Sequence, residues 1–204
     1  DNPLVAGRVN DLLARIQASN LKTPALKAAY LEALDAIKHS TGTELLEKKL
    51  RIAFYERARF FSNRIAQTEL QRAWVDSENQ IIQNDPEIEF VQIALSGKHV
   101  ITDICDLMSK QNKYGLGPGI YPKHLAPKPP FHPFCRCAVL PRIDIEPGTK
   151  WKEIKHADRA FLESLDPKQA RMVMGSHAKL AAVLNGKKAI DVFNKQIDPF
   201  YRIG

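Results

Sequence analysis

Apolar side chains recur at three- and four-residue intervals over most of this chain, and the stretches that break the rhythm mark where its chemistry lies. Between residues 4 and 20 the positions Leu4, Val5, Val9, Leu12, Leu13 and Ile16 fall on one stripe and predict an amphipathic helix. Thr23-Pro24 read as an N-cap and first-turn proline for a second helix. Its apolar face runs through Leu26, Tyr30, Leu34 and Ile37, and it ends near Ser40-Thr41-Gly42. The longest periodic run extends from about Glu44 to Gln83, through Leu46, Leu50, Ala53, Phe54, Phe61, Ile65, Leu70 and Trp74, with no proline or glycine inside it. It predicts one long helix, or two with a bend, stopped by Asn84-Asp85-Pro86. The period then switches. IEFVQIAL (88–95) is rich in β-branched and aromatic residues and predicts a strand.

From Gly115 to Gly148 no helical period survives. Eight of the 13 prolines fall there, with Gly115, Gly117 and Gly119, so the segment is expected to be extended and irregular, except for a short strand within CAVLPRIDI. A loop that long inside a compact domain implies something that organises it. Helical spacing returns from Trp151 to Leu165. Asp166-Pro167 then cap a helix over PKQARMVMG, and HAKLAAVLNGKKAIDVF comes after it. The fold class expected is α+β: mainly helical, with a small, partly antiparallel sheet and a long Pro-rich loop. Three segments are expected: an N-terminal helical part (1–43), a core (44–147) and a C-terminal helical part (148–204).

The chain has 204 residues and 44% hydrophobic content, enough for a substantial core without disulfide staples. It holds no apolar run of about 18 residues, and DNPLVAGRVN lacks the basic start and apolar stretch of a signal peptide, so no membrane partner is expected. The absence of an initial methionine suggests a piece of a longer protein. A formal charge of +7, spread without any block of five like charges, fits either a solvated surface or a face for polyanions such as nucleic acid. Three cysteines, an odd number, argue against an extracellular disulfide framework.

All three cysteines and three of the six histidines lie between His99 and Cys137. The frame is His99-x3-Asp103-x-Cys105, a gap, then His132-x2-Cys135-x-Cys137. Zinc takes four nitrogen or sulfur donors in a tetrahedron, and Cys105, His132, Cys135 and Cys137 would supply three thiolates and an imidazole. Asp103 or His99 could replace one of them. The Cys-x-Cys pair is tighter than an ordinary finger. The same residues also fit buried thiols behaving as small hydrophobes, or a redox pair. The proline-rich loop, with nothing hydrophobic to hold it, favours the metal.

RIAQTELQRAW (64–74) in a long helix, a strand, the D-x-C of Asp103–Cys105 and PPFHPFCRC (129–137) together resemble the phage Mu F-like minor head proteins, the phage head morphogenesis family. The likeness covers roughly residues 45–145, more loosely the tail. Thr68 and Glu69 match the family's Thr-Glu, Gln67 stands where arginine is usual, Phe134 replaces the usual asparagine, and Met108 stands where many relatives have a second cysteine. The resemblance implies a non-enzymatic virion protein with portal, capsid or scaffold partners and possible contact with double-stranded DNA. It would reside in the capsid interior and, during assembly, in the host bacterial cytoplasm.

Other residues carry alternatives. Glu69 is read as an ion-pair partner of Arg72 or an anchor for Arg136 rather than a catalytic carboxylate. Glu87 and Glu89 superficially match the glutamate pair of ADP-ribosyltransferases, and a toxin-like transferase or nuclease module is the competing function. That function would be favoured if Glu69, Glu87 or Glu89 lined a deep polar cleft. A Cys–His nucleophile at Cys135 or Cys137 would lack an obvious orienting group.

Overall fold

A computed structural model describes residues 10–12, 14, 16–17, 24–39 and 43–194. Most of the predicted first helix and the stop at Ser40-Thr41-Gly42 lie outside these residues, although the described positions between 10 and 17 are helical. The elements are α1 (Pro24–Lys38), α2 (Thr43–Asn84), β1 (Phe90–Ala94), α3 (Ile104–Lys110), β2 (Ile120–Pro122), a 3-10 turn (Lys123–Leu125), β3 (Ala138–Pro141), α4 (Ala157–Glu163), α5 (Pro167–Met174), α6 (His177–Leu184) and α7 (Ala189–Asn194). The fold is α+β and mainly helical, with a small sheet ordered β2-β1-β3. Both strand pairings are antiparallel, not partly so, with Val91 opposite Tyr121 on one side and Pro141 on the other. Among the described residues no helix is long and apolar enough to cross a membrane.

Two compact units divide between Ala66 and Gln67, inside α2. In the first, Ala29 and Ala33 of α1 and Ala53 of α2 form a small buried cluster, flanked by Tyr30 and Leu50. The buried face of α1 is Leu26, Ala29, Ala33 and Ala36, not the larger residues Tyr30, Leu34 and Ile37, which are half-buried. Alanine permits close backbone approach, and the bulkier side chains flank that seam.

The second unit holds the main core. Val75 and Ile82 of α2 join Val91 and Ile93 of β1, Ile104 and Leu107 of α3, Val139 of β3, and Leu162, Val173 and Val183 of the C-terminal helices. Thr68, Val75 and Ile82, seven residues apart, mark the buried face of α2 in this unit. Leu70 and Trp74, expected inside, are exposed, as are Phe54, Phe61 and Ile65 in the first unit. Periodicity gave the helix and its length but not which face is covered.

Two further expectations are corrected. The segment from Gly115 to Gly148, expected to be extended and irregular apart from one short strand, contains β2 as well as β3, and its Ile120, Tyr121 and Phe131 are buried. The proline-rich stretch therefore carries its own apolar anchors. Its Tyr121 hydroxyl donates to Met108 O (2.7 Å) and accepts from Gln111 Nε2 (3.1 Å), pinning β2 to the end of α3. The helix expected over 151–165 is confined to Ala157–Glu163. Ile154 N–H donates instead to Lys113 O (2.8 Å), and Trp151 packs edge-on against Tyr114, drawing 151–156 out of helical geometry.

Candidate metal centre

The site begins with a helix start. Asp103 is extended (φ −151°) and its side chain accepts from Cys105 N–H at 2.8 Å, while Asp106 accepts from Asp103 N–H at 2.9 Å, a reciprocal capping box that opens α3. Cys105 is thereby fixed in the first turn of a helix whose other residues, Ile104, Leu107 and Met108, are buried. The Asp-x-x-Asp spacing is a helix-start signal legible in the sequence, but α3 goes unpredicted because glycine and proline dominate the residues beyond its end.

The second half is a turn. Cys135 N–H donates to His132 O at 3.0 Å, with Pro133 at the first corner and Phe134 left-handed (φ 62°) at the second, the arrangement of a type II turn. The part of α2 that belongs to the second unit holds this turn from the side. Thr68 Oγ1 accepts from Phe134 N–H (3.3 Å), and Gln71 Nε2 donates to Cys137 O (2.9 Å).

The two halves converge. Cys105 Sγ lies 3.0 Å from His132 Nε2 and 3.6 Å from Cys135 Sγ, and these three donor atoms all lie within 4.8 Å of one another. Cys137 is buried but stands outside this triangle. All three cysteines are buried and free, and His132 is half-buried. His132 Nδ1 lies 2.8 Å from Pro133 O, and its Nε2 faces both Cys105 Sγ (3.0 Å) and Asp103 Oδ2 (3.2 Å); a proton on Nδ1 would leave Nε2 as the atom available to a metal.

The electrostatics arise from buried thiols beside an imidazole and a carboxylate. Hydrogen bonding with Cys105, then Cys137, pushes the Cys135 thiol well below the ordinary thiol value despite its burial. The Cys105 thiol is pushed up, first because it donates to Cys135 and then through Cys137 and burial. Cys137 also moves up: Cys105 acts to lower it, but Cys135 and desolvation outweigh that. Burial acts to lower His132, yet the Asp103 carboxylate, 3.2 Å from Nε2, raises it overall. Asp103 moves down, because its bonds to His132 and Cys105 overcome desolvation.

The donor set fits a metal ion. Thiolate sulfur and imidazole nitrogen, the donor types of Cys105, Cys135 and His132, are ligands that zinc and related metals take. Metal–sulfur bonds of about 2.3 Å in a tetrahedron put sulfurs about 3.8 Å apart, close to the 3.6 Å between Cys105 and Cys135. The buried group Cys105, His132 and Cys135 is thus able to hold a metal.

The remaining candidate residues are placed differently. His99 is no part of the triangle; it pairs with Asp106 (3.0 Å) and stands 3.8 Å from Asp103, in a separate group of His99, Asp103 and Asp106. Lys110 closes that group on Asp106 at 2.6 Å. Met108 is buried, its sulfur 3.8 Å from Gln111 Nε2. Glu69 is exposed and pairs with Arg72 at 3.7 Å; Arg136 is exposed, and no ion pair joins it to Glu69 among the described residues. Glu87 is exposed, while Glu89 accepts from Gly148 N–H at 2.8 Å and tethers the loop beyond β3. Comparison with protein-family models, with curated proteins and with solved structures produced no match.

Proposed function

We propose that this chain is a non-enzymatic head-assembly protein of the phage Mu F-like kind, built around a structural zinc held by Cys105, His132, Cys135 and Cys137. One observation carries the reading. Three of the four segments on which the resemblance rests, far apart in the chain, meet at one place: Thr68 accepts from Phe134 N–H, and Cys105 reaches His132 and Cys135. The departure at Phe134 supports it as well, since the backbone there is left-handed and asparagine, the residue the family usually has, tolerates that conformation better than phenylalanine. Zinc would supply no chemistry to a substrate; it would tie the start of α3 to the turn after the prolines. The portal, other capsid or scaffold proteins would be the partners, and non-specific contact with double-stranded DNA would suit the net charge of +7.

The test is elemental analysis of protein purified without a histidine tag or chelator, beside Cys135→Ser. About one zinc per chain in the parent, lost in the variant together with several kcal/mol of stability, is expected where metal binding is linked to folding. A metal-free parent, or a variant with an unchanged melting temperature, would remove the zinc. Mass spectrometry of purified phage heads tests the assembly role separately: the chain is expected among their minor components, and its absence would end that reading.

A further inference from the structure

A second concave site lies away from the cysteines. A pocket of about 220 Å³ is bounded by the segment before α4, the start of α4, the turn between α6 and α7, and Lys113. Asp158 forms its base: the side chain is buried, accepts from Ala189 N–H at 2.8 Å and faces Lys113 Nζ at 3.5 Å. That carboxylate thus fixes the turn that carries Lys187 and Lys188. Gly186 (φ 93°) gives the turn its left-handed corner, and Lys187 N–H donates to Ala182 O at 3.1 Å. On the other wall, the bond from Ile154 N–H to Lys113 O holds the segment carrying Lys155.

The charges do not balance. Five cationic side chains, Lys113, Lys155, Arg159, Lys187 and Lys188, line the pocket with two carboxylates, Glu153 and Asp158, leaving three positive charges (5 − 2). Lys113 is matched to Asp158, Lys188 to Glu153 at 3.4 Å, and Arg159 turns to Glu163 at 2.8 Å. Lys155 and Lys187 have no carboxylate within 4 Å among the described residues, yet the backbone bonds above hold both at one cavity. Both side chains are exposed, and two ammonium groups without a carboxylate partner at one concave site leave a positive field there that attracts a multivalent anion.

We infer that this pocket binds phosphoryl oxyanions, with Lys155 and Lys187 as principal contacts and Lys113 and Lys188 adding to the field. The chemistry is shared by a nucleic-acid backbone and a free polyphosphate. The inference stands apart from the metal centre and from the assembly role, and neither zinc loss nor absence from heads bears on it.

Two probes are used on the full chain: inorganic tripolyphosphate by calorimetry, and a fluorescein-labelled 30-base-pair duplex by anisotropy across a salt series. The double variant Lys155→Gln/Lys187→Gln is compared with Lys98→Gln/Lys128→Gln, which removes the same charge from exposed positions elsewhere. Binding of either probe should weaken at least tenfold in the pocket variant and less than twofold in the control. If the duplex binds, the pocket variant should also lose about two units of salt slope, near 0.9 per phosphate contact. Tripolyphosphate that binds and displaces the duplex assigns the site to any phosphoryl group; a duplex that binds alone assigns it to the polymer backbone. No binding of either probe at low salt, or equal losses in both variants, would overturn the inference.

Discussion

Phe134 shows what one residue is made to do by its neighbours. It has φ 62° and a partly exposed ring, because the turn that aims Cys135 at Cys105 needs a left-handed corner after Pro133. A side chain other than glycine, asparagine or aspartate costs roughly 1–2 kcal/mol in that conformation. Phe134→Asn is therefore expected to raise stability by about 1 kcal/mol with metal content unchanged, read by chemical denaturation of metal-loaded protein. His132 sets the pH response. Without metal its raised value means that the pair with Asp103 stabilises the fold fully below the unfolded imidazole value and that this contribution is lost as pH rises through the folded value. With metal the sign reverses, since protons compete for the ligands and zinc-dependent stability falls as pH drops below about 6.5. Melting curves across pH with zinc and with a chelator should therefore diverge above neutrality and converge in acid.

At the scale of elements, the metal centre depends on pieces too short to stand alone. The seven residues of α3 and the three of β2 are held by the capping box, by Tyr121 and by the contact at Gly119. Gly119 is left-handed (φ 67°); its N–H donates to Gln111 O, and its carbonyl accepts from Ile93 N–H, both at 2.9 Å. A Cβ there would overlap the Ser109 carbonyl, which is backbone and cannot swing away. Gly119→Ala is expected to cost about 2–4 kcal/mol, seen as a lower denaturation midpoint, and to reduce zinc retention because α3 carries Cys105. A midpoint within error of the parent would mean that β2 is not what seats α3.

For the molecule as a whole, removing the metal should act locally before it acts globally. The alanine cluster of Ala29, Ala33 and Ala53 shares no residue with the core that includes Cys105, Cys135 and Cys137. Amide exchange after chelation should rise over residues 103–139 and stay unchanged over 24–38; a uniform rise would mean that the two clusters unfold together. Local pattern alone was enough for the long helix, the cap at Asp166, a strand within 88–95 and the candidacy of Cys105, His132 and Cys135 as metal ligands, because helical period, capping residues and ligand type are local properties of the chain. It did not determine which face of α2 is buried, that Asp103 opens a helix, that 151–156 leaves the helix, or that His99 sides with Asp106 and not with the cysteines. Those depend on which distant groups arrive to accept a hydrogen bond or exclude water. Only tertiary structure brings Thr68, Cys105 and Cys135 to one place, and only there do Cys105, His132 and Cys135 become one group able to hold a metal.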